Sequence, residues 1–132
     1  MGKVFQGKLE CRSRQGLEQG AFRVLVTDAY NRKCAVSGEK TLPVLEAAHI
    51  KPYAESGEHF ILNALLLRSD IDKLFDISYL TVTDGLKLEV SNRIKEEYEN
   101  GKEYYKFYGK ELLNMPDKIH NRPGQKFIEG HN

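Results

Sequence analysis

Four side chains in the middle of this sequence have the types and the spacing of a hydrolytic site. His49, Asn63, Asp72 and Asp76 follow one another at separations of fourteen, nine and four residues. A neutral imidazole titrates near physiological pH and can take a proton from water. Two carboxylates one helical turn apart offer hard oxygen donors, which suit Mg2+ or Mn2+ better than Zn2+. Each residue also has a plainer reading. A histidine at a strand end can be a hydrogen-bonded structural residue, and Asn63 can cap the turn before Ala64. Asp72 completes Ser69-x-x-Asp72, which resembles a capping box although Glu or Gln is the usual partner. Asp76 can bond backbone amides beyond its helix. Against these stands the repulsion of two carboxylates at i, i+4, a few tenths of a kcal/mol with no cation between them. The stacking of Asp72 and Asp76 therefore favours a metal site.

Those residues need elements to bring them together. Val44–Ile50 reads as a strand delivering His49, followed by a polar loop of Glu55, Ser56, Gly57, Glu58 and His59. Asn63 opens the apolar run 64–67. Ser69 reads as the N-cap of a short helix with Asp70 in its first turn. Ile71, Leu74 and Phe75 form the buried stripe of that helix and leave Asp72 and Asp76 on another face. Upstream, Phe22, Leu25, Val26 and Ala29 fall at i, i+3, i+4 and i+7, predicting an amphipathic helix over 19–30 with Arg23 and Asp28 off its apolar stripe. Cys34–Ser37 is expected to be the first strand of a hairpin, with 38–43 as its turn and 44–50 as the returning strand. Downstream, 79–83 and 86–90 alternate around Asp84-Gly85, a two-residue hairpin signal. Ser91 opens a polar helix to Tyr98, Asn100-Gly101 ends it, and an aromatic tail with Tyr104, Tyr105, Phe107 and Tyr108 wraps the core. The fold class is α+β. Residues 1–18 read as a basic arm or the remnant of an upstream domain, and 19–132 as one domain.

The words around the four residues carry a family resemblance. Cys-Ala-Val-Ser-Gly-Glu at 34–39, Glu-Ala-Ala-His-Ile at 46–50 and Leu-Phe-Asp at 74–76 resemble a bacterial, restriction-type branch of the HNH endonucleases. In that family the first His ends a strand, an Asn follows about a dozen residues on, and a His or Asn on the helix completes the motif. His49 and Asn63 match the first two letters; the third falls on Asp72. The resemblance implies a ββα-metal core with a flanking N-terminal helix and a C-terminal hairpin and helix. It implies a metal-dependent endonuclease or nickase that hydrolyses DNA phosphodiester bonds in restriction or defence. His49 would then be the base, Asn63 the residue that orients it, and Asp72 with Asp76 the ligands of Mg2+ or Mn2+. The family often has an acidic ligand immediately before the His; here that position is Ala48, and Glu46 is the candidate to replace it. Some relatives carry a Cys-x-x-Cys zinc half-site where this chain has Cys34-Ala-Val-Ser37, so no structural zinc is expected. The alternative is a catalytically inactive DNA-binding module that keeps the fold.

Composition sets the outer bounds. A chain of 132 residues makes one domain the default. No apolar run approaches the roughly 20 residues of a transmembrane helix, and Met1–Glu10 lacks the apolar core of a signal peptide. Two cysteines, Cys11 and Cys34, suit a reducing cytoplasm better than a disulfide framework. Net charge is only +1, but its distribution is uneven. Residues 1–33 hold seven basic and three acidic side chains, whereas 44–84 hold three basic and seven acidic ones. A basic flank beside an acidic centre suits phosphates at one place and a divalent cation at another, although scattered solvated charge accounts for it equally well. Arg23, Arg32, Lys33, Lys51 and Arg68, with Arg12 and Arg14, are the candidate phosphate contacts. The expected partners are DNA and an upstream recognition domain or partner subunit, with homo-oligomers open and no membrane.

Overall fold

The computed structural model describes residues 19–51, 61–124 and 127–129. Expectations for the basic arm, Cys11, Arg12, Arg14 and the polar loop 55–59 lie outside the described residues. Helix α1 spans 19–29. A 3-10 turn, Leu42–Val44, leads into strand β1, Leu45–His49. A second 3-10 turn, Ile61–Asn63, precedes strand β2, Ala64–Arg68, and helix α2, Ser69–Asp76, follows without a linker. Strands β3, Leu80–Val82, and β4, Leu88–Val90, form a second two-stranded sheet, followed by the short helices α3, Arg93–Tyr98, and α4, Lys102–Tyr105. The architecture is α+β. Among the described residues no helix is long and apolar enough to cross a membrane.

Strand β1 pairs antiparallel with β2, from Leu45 opposite Arg68 to His49 opposite Ala64. This corrects the hairpin expected between 34–37 and 44–50. The reason lies in β2: Ala64, Leu65, Leu66 and Leu67 are all at most 1 % exposed, so this strand is covered on both faces and sits at the centre of the core. Residues 34–37 instead form a turn closed by the Gly38 amide donating to the Cys34 carbonyl, and they dock on β2 through the Ala35 amide and the Leu66 carbonyl. The Cys34 sulfur, fully buried, accepts the amides of Ser37 and Arg68 at 3.3 Å each.

Helix α1 packs through Phe22 and Val26, and Tyr30 just past its end continues the i, i+4, i+8 seam, whereas Leu25 is 54 % exposed. The expected stripe was therefore too wide on one side. The helix meets the core along a narrow seam anchored by the Tyr30 hydroxyl, which donates to the Ala64 carbonyl at 2.7 Å. Burial pushes the Tyr30 phenol pKa up.

Helix α2 is held by Ile71 and Phe75, both nearly inaccessible, each contributing about 1.5–3 kcal/mol of apolar burial. Ser69 is not its N-cap. Arg68 occupies that position, and the Ser69 hydroxyl donates to the Val44 carbonyl at 2.9 Å, tying the start of α2 to the entry of β1. The hairpin β3–β4 also departs from the two-residue turn. Its left-handed residue is Leu86 (φ 60°) rather than Gly85, and the Thr83 amide donates to the Lys87 carbonyl, making a three-residue loop. Of the aromatic tail, Tyr104, Tyr105 and Phe107 pack against the core while Tyr108 is exposed; Leu112, Phe127 and Ile128 are buried, and the Asn114 amide donates to the Tyr30 and Lys33 carbonyls.

Candidate active site

The site is built where β1 and β2 diverge. The Ile50 amide donates to the Asn63 carbonyl at 3.0 Å, extending the ladder one step past His49. Asn63 is the one fully buried polar side chain among the described residues. Its Oδ1 accepts the Lys51 amide at 2.8 Å and its Nδ2 donates to the Lys51 carbonyl at 3.0 Å. This clamp fixes the backbone two residues beyond His49. Asn63→Ala is expected to destabilise the fold by about 2–3 kcal/mol, because it leaves both Lys51 backbone groups without their partner. Urea denaturation measures this directly; an unchanged midpoint would mean that the clamp is dispensable.

His49 is the last residue of β1, half-buried, with its ring stacked on Phe22. The centroids are 4.5 Å apart and the planes differ by 8°. Both rings line a cleft of about 380 Å3 with Gln19, Arg23, Glu46 and Ala47. Arg23 reaches into it from α1, pairing with Glu46 at 3.5 Å and donating to the Leu45 carbonyl at 3.3 Å.

Asp72 stands on α2, half-buried, and no hydrogen bond or ion pair to its carboxylate is found among the described residues. With Ser69 bonded to Val44, the capping-box alternative is not formed. Burial, then the neighbouring charges of Asp76 and Glu46, push the Asp72 carboxyl up to about 6, against a smaller opposing effect of Lys73. Asp76 is exposed at the end of the same helix. Glu46 thus joins two settings, lining the His49 cleft and adding its charge to the field on Asp72. Asp72 itself does not line that cleft, and among the described residues no three His, Cys, Asp or Glu side chains are grouped to hold a metal. The donor set still fits a hard cation, since Mg2+ keeps several waters and commonly uses only one or two carboxylates. An unpartnered, partly desolvated carboxylate beside two others is the chemistry such an ion relieves.

The basic candidates are dispersed. Arg68 is engaged in a two-pronged pair with Asp70 at 2.6 and 3.0 Å, and Asp70 also accepts the Tyr104 hydroxyl at 2.8 Å. The Arg68 guanidinium holds the Asp70 carboxyl below its usual range. Any phosphate would have to compete with that pair. Arg32 forms an exposed pair with Asp28 at 3.7 Å, Lys33 is partly covered, and Lys51 is tied at its backbone to Asn63. Arg23 and Arg32 line a second groove with Val24, Thr27, Asp28 and Leu42. Two features had no signal in the sequence. Phe22 appeared only as one more apolar residue of a helix stripe, and nothing linked Arg23 to Glu46 across 23 residues.

Residues 34–83 match the family described as HNH endonuclease. That segment runs from the Cys34 turn through β1, β2 and α2 into β3, so the match falls on the part of the chain that carries His49, Asn63, Asp72 and Asp76. The fold is also similar to a solved structure, a modification dependent TagI restriction endonuclease, with a TM-score of 0.55 and 19 % sequence identity. The similarity covers 84 % of this chain and 36 % of that one, so the chain spans about a third of its length. No curated protein sequence matches the chain.

Proposed function

We propose that this chain is a metal-dependent endonuclease or nickase that hydrolyses DNA phosphodiester bonds through a ββα-metal site. The observation that carries this reading is the strand–clamp–helix unit itself: His49 ends β1, Asn63 clamps Lys51 just beyond it, and α2 with Asp72 and Asp76 follows β2 without a linker, all within the segment 34–83 that matches the HNH endonucleases. His49 takes a proton from water as the water oxygen attacks phosphorus. Asn63 holds the chain beyond His49 in place during that attack. Asp72 and Asp76 hold Mg2+ or Mn2+, with Glu46 within electrostatic reach as a third acid. When bound, such an ion offsets charge developing on the phosphate oxygens and the leaving 3′ oxygen. The products would carry 5′-phosphate and 3′-hydroxyl ends. The test is plasmid DNA cleavage in Mg2+ and in Mn2+, with and without EDTA; metal-independent cutting would overturn the proposal. The solved relative is modification dependent by name and more than twice as long, which supports a division of labour here. In it this chain supplies the cutting unit, and a separate module or subunit supplies recognition.

A second reading, a DNA-binding module without activity, is favoured by Ala48 and by the lack of a preassembled three-residue metal group among the described residues. Tight DNA binding without cleavage in either metal would select it.

Arg23 is the leading phosphate contact, since its side chain is 53 % exposed and stands at the rim of the cleft. Arg23→Ala is expected to weaken binding about equally for unrelated duplexes and to reduce the slope of log K against log[salt] by roughly 0.9. Stability should hardly change, because an exposed ion pair contributes roughly 0–1 kcal/mol. A large fall in melting temperature with an unaltered slope would make Arg23 a brace for β1.

A further inference from the structure

We propose that Phe22 is a positioning residue that sets the ring plane of His49, an inference that rests on reading His49 as the base. The backbone of His49 is fixed by its pairing with Ala64 and by the bond from Ile50 to Asn63. Backbone fixation sets only the direction of the Cα–Cβ bond. Two side-chain torsions remain, and a base must present an in-plane nitrogen lone pair to the water it activates. The second torsion is restricted by Phe22, whose ring lies parallel to the imidazole at 4.5 Å and 8°. Tilting the imidazole out of this plane would drive it into a ring that is only 4 % exposed and is itself held in the α1 seam beside Val26. The stack covers one face of the imidazole, while both rings still border the cleft. The edge carrying the nitrogens is thereby kept in a defined plane. Helix α1 lies outside the segment 34–83 that matches the family, so the device belongs to the flanking part of this chain.

The test uses Phe22→Leu, which keeps apolar bulk and removes the flat ring, and Phe22→Tyr, which keeps the ring. Phe22→Leu is expected to lower kcat for duplex cleavage by roughly 10–100-fold, the scale of loss when a reacting group is slightly misplaced, with KM unchanged. Phe22→Tyr should restore kcat. In the His49→Ala background, Phe22→Leu should cause no further loss, because there is no imidazole left to orient. In metal-free protein, the imidazole C–H resonances of His49 should show an upfield ring-current shift in the parent and Phe22→Tyr, and lose it in Phe22→Leu. Equal losses from Phe22→Leu in both backgrounds, or Phe22→Tyr as impaired as Phe22→Leu, would reduce Phe22 to core packing. Parental cleavage by Phe22→Leu beside a slowed His49→Ala would overturn the positioning role alone. Parental cleavage by His49→Ala would overturn the base itself and the positioning role with it.

Discussion

His49→Ala is expected to reduce cleavage to a slow residual rate while leaving the fold and DNA affinity almost intact. Loss of a general base typically lowers the rate by ~10²–10⁴-fold, because the group is needed as the proton leaves water and not for holding phosphate. The structural cost should be small. His49 is only half-buried at the end of β1, and its backbone bonds do not depend on its ring. Single-turnover cleavage at saturating DNA isolates the chemical step, and circular dichroism melting reports on the fold. Cutting at the parental rate would assign the base to another residue.

Asp72 should show opposite effects on metal binding and on stability. Asp72→Ala is expected to weaken Mn2+ binding, measured by calorimetric titration, by at least the roughly 10–100-fold associated with loss of an outer-shell partner. Asp72→Asn and Asp72→His keep a donor atom and should retain part of the activity. In metal-free protein at neutral pH, however, Asp72→Asn should be more stable than the parent. The folded chain holds the proton of Asp72 more tightly than the unfolded chain, since burial, Asp76 and Glu46 raise its pKa from 3.8 to about 6. Stability of the parent therefore falls as pH rises from about 4 to 6 and then levels off. After allowance for solvent screening of a half-exposed group, the loss is about 1–2 kcal/mol. Asp72→Asn should remove this slope, so the two chains converge below pH 4. If the metal-free parent and Asp72→Asn have the same stability across that range, the carboxylate is not under the stress described. If Asp72→Ala binds Mn2+ unchanged, the ion sits elsewhere.

Much of this molecule was legible in the order of its residues. The continuous apolar run 64–67, the Ile71 and Phe75 spacing and the alternation around Asp84-Gly85 place β2, α2 and the β3–β4 hairpin, because burial and backbone period leave a local pattern. The similarity of residues 34–83 to the HNH endonucleases was legible through His49, Asn63 and their neighbouring words. The partner of β1 was not. Two apolar segments were available to it, and the choice fell to β2 because only a strand covered on both faces could bury all four residues of 64–67. Ser69 looked like a cap until its hydroxyl found the Val44 carbonyl 25 residues away. Leu25 looked buried because a helix stripe is read as a fixed angular width, whereas its real width depends on what lies opposite. The site divides in the same way. Residue type and local spacing determine that an imidazole, an amide and two acids one helical turn apart occur in one short segment. Only tertiary packing sets Phe22 on His49, Arg23 on Glu46 and the charge of Glu46 against Asp72, since each of these contacts joins elements far apart in the chain and leaves no periodic trace within either one.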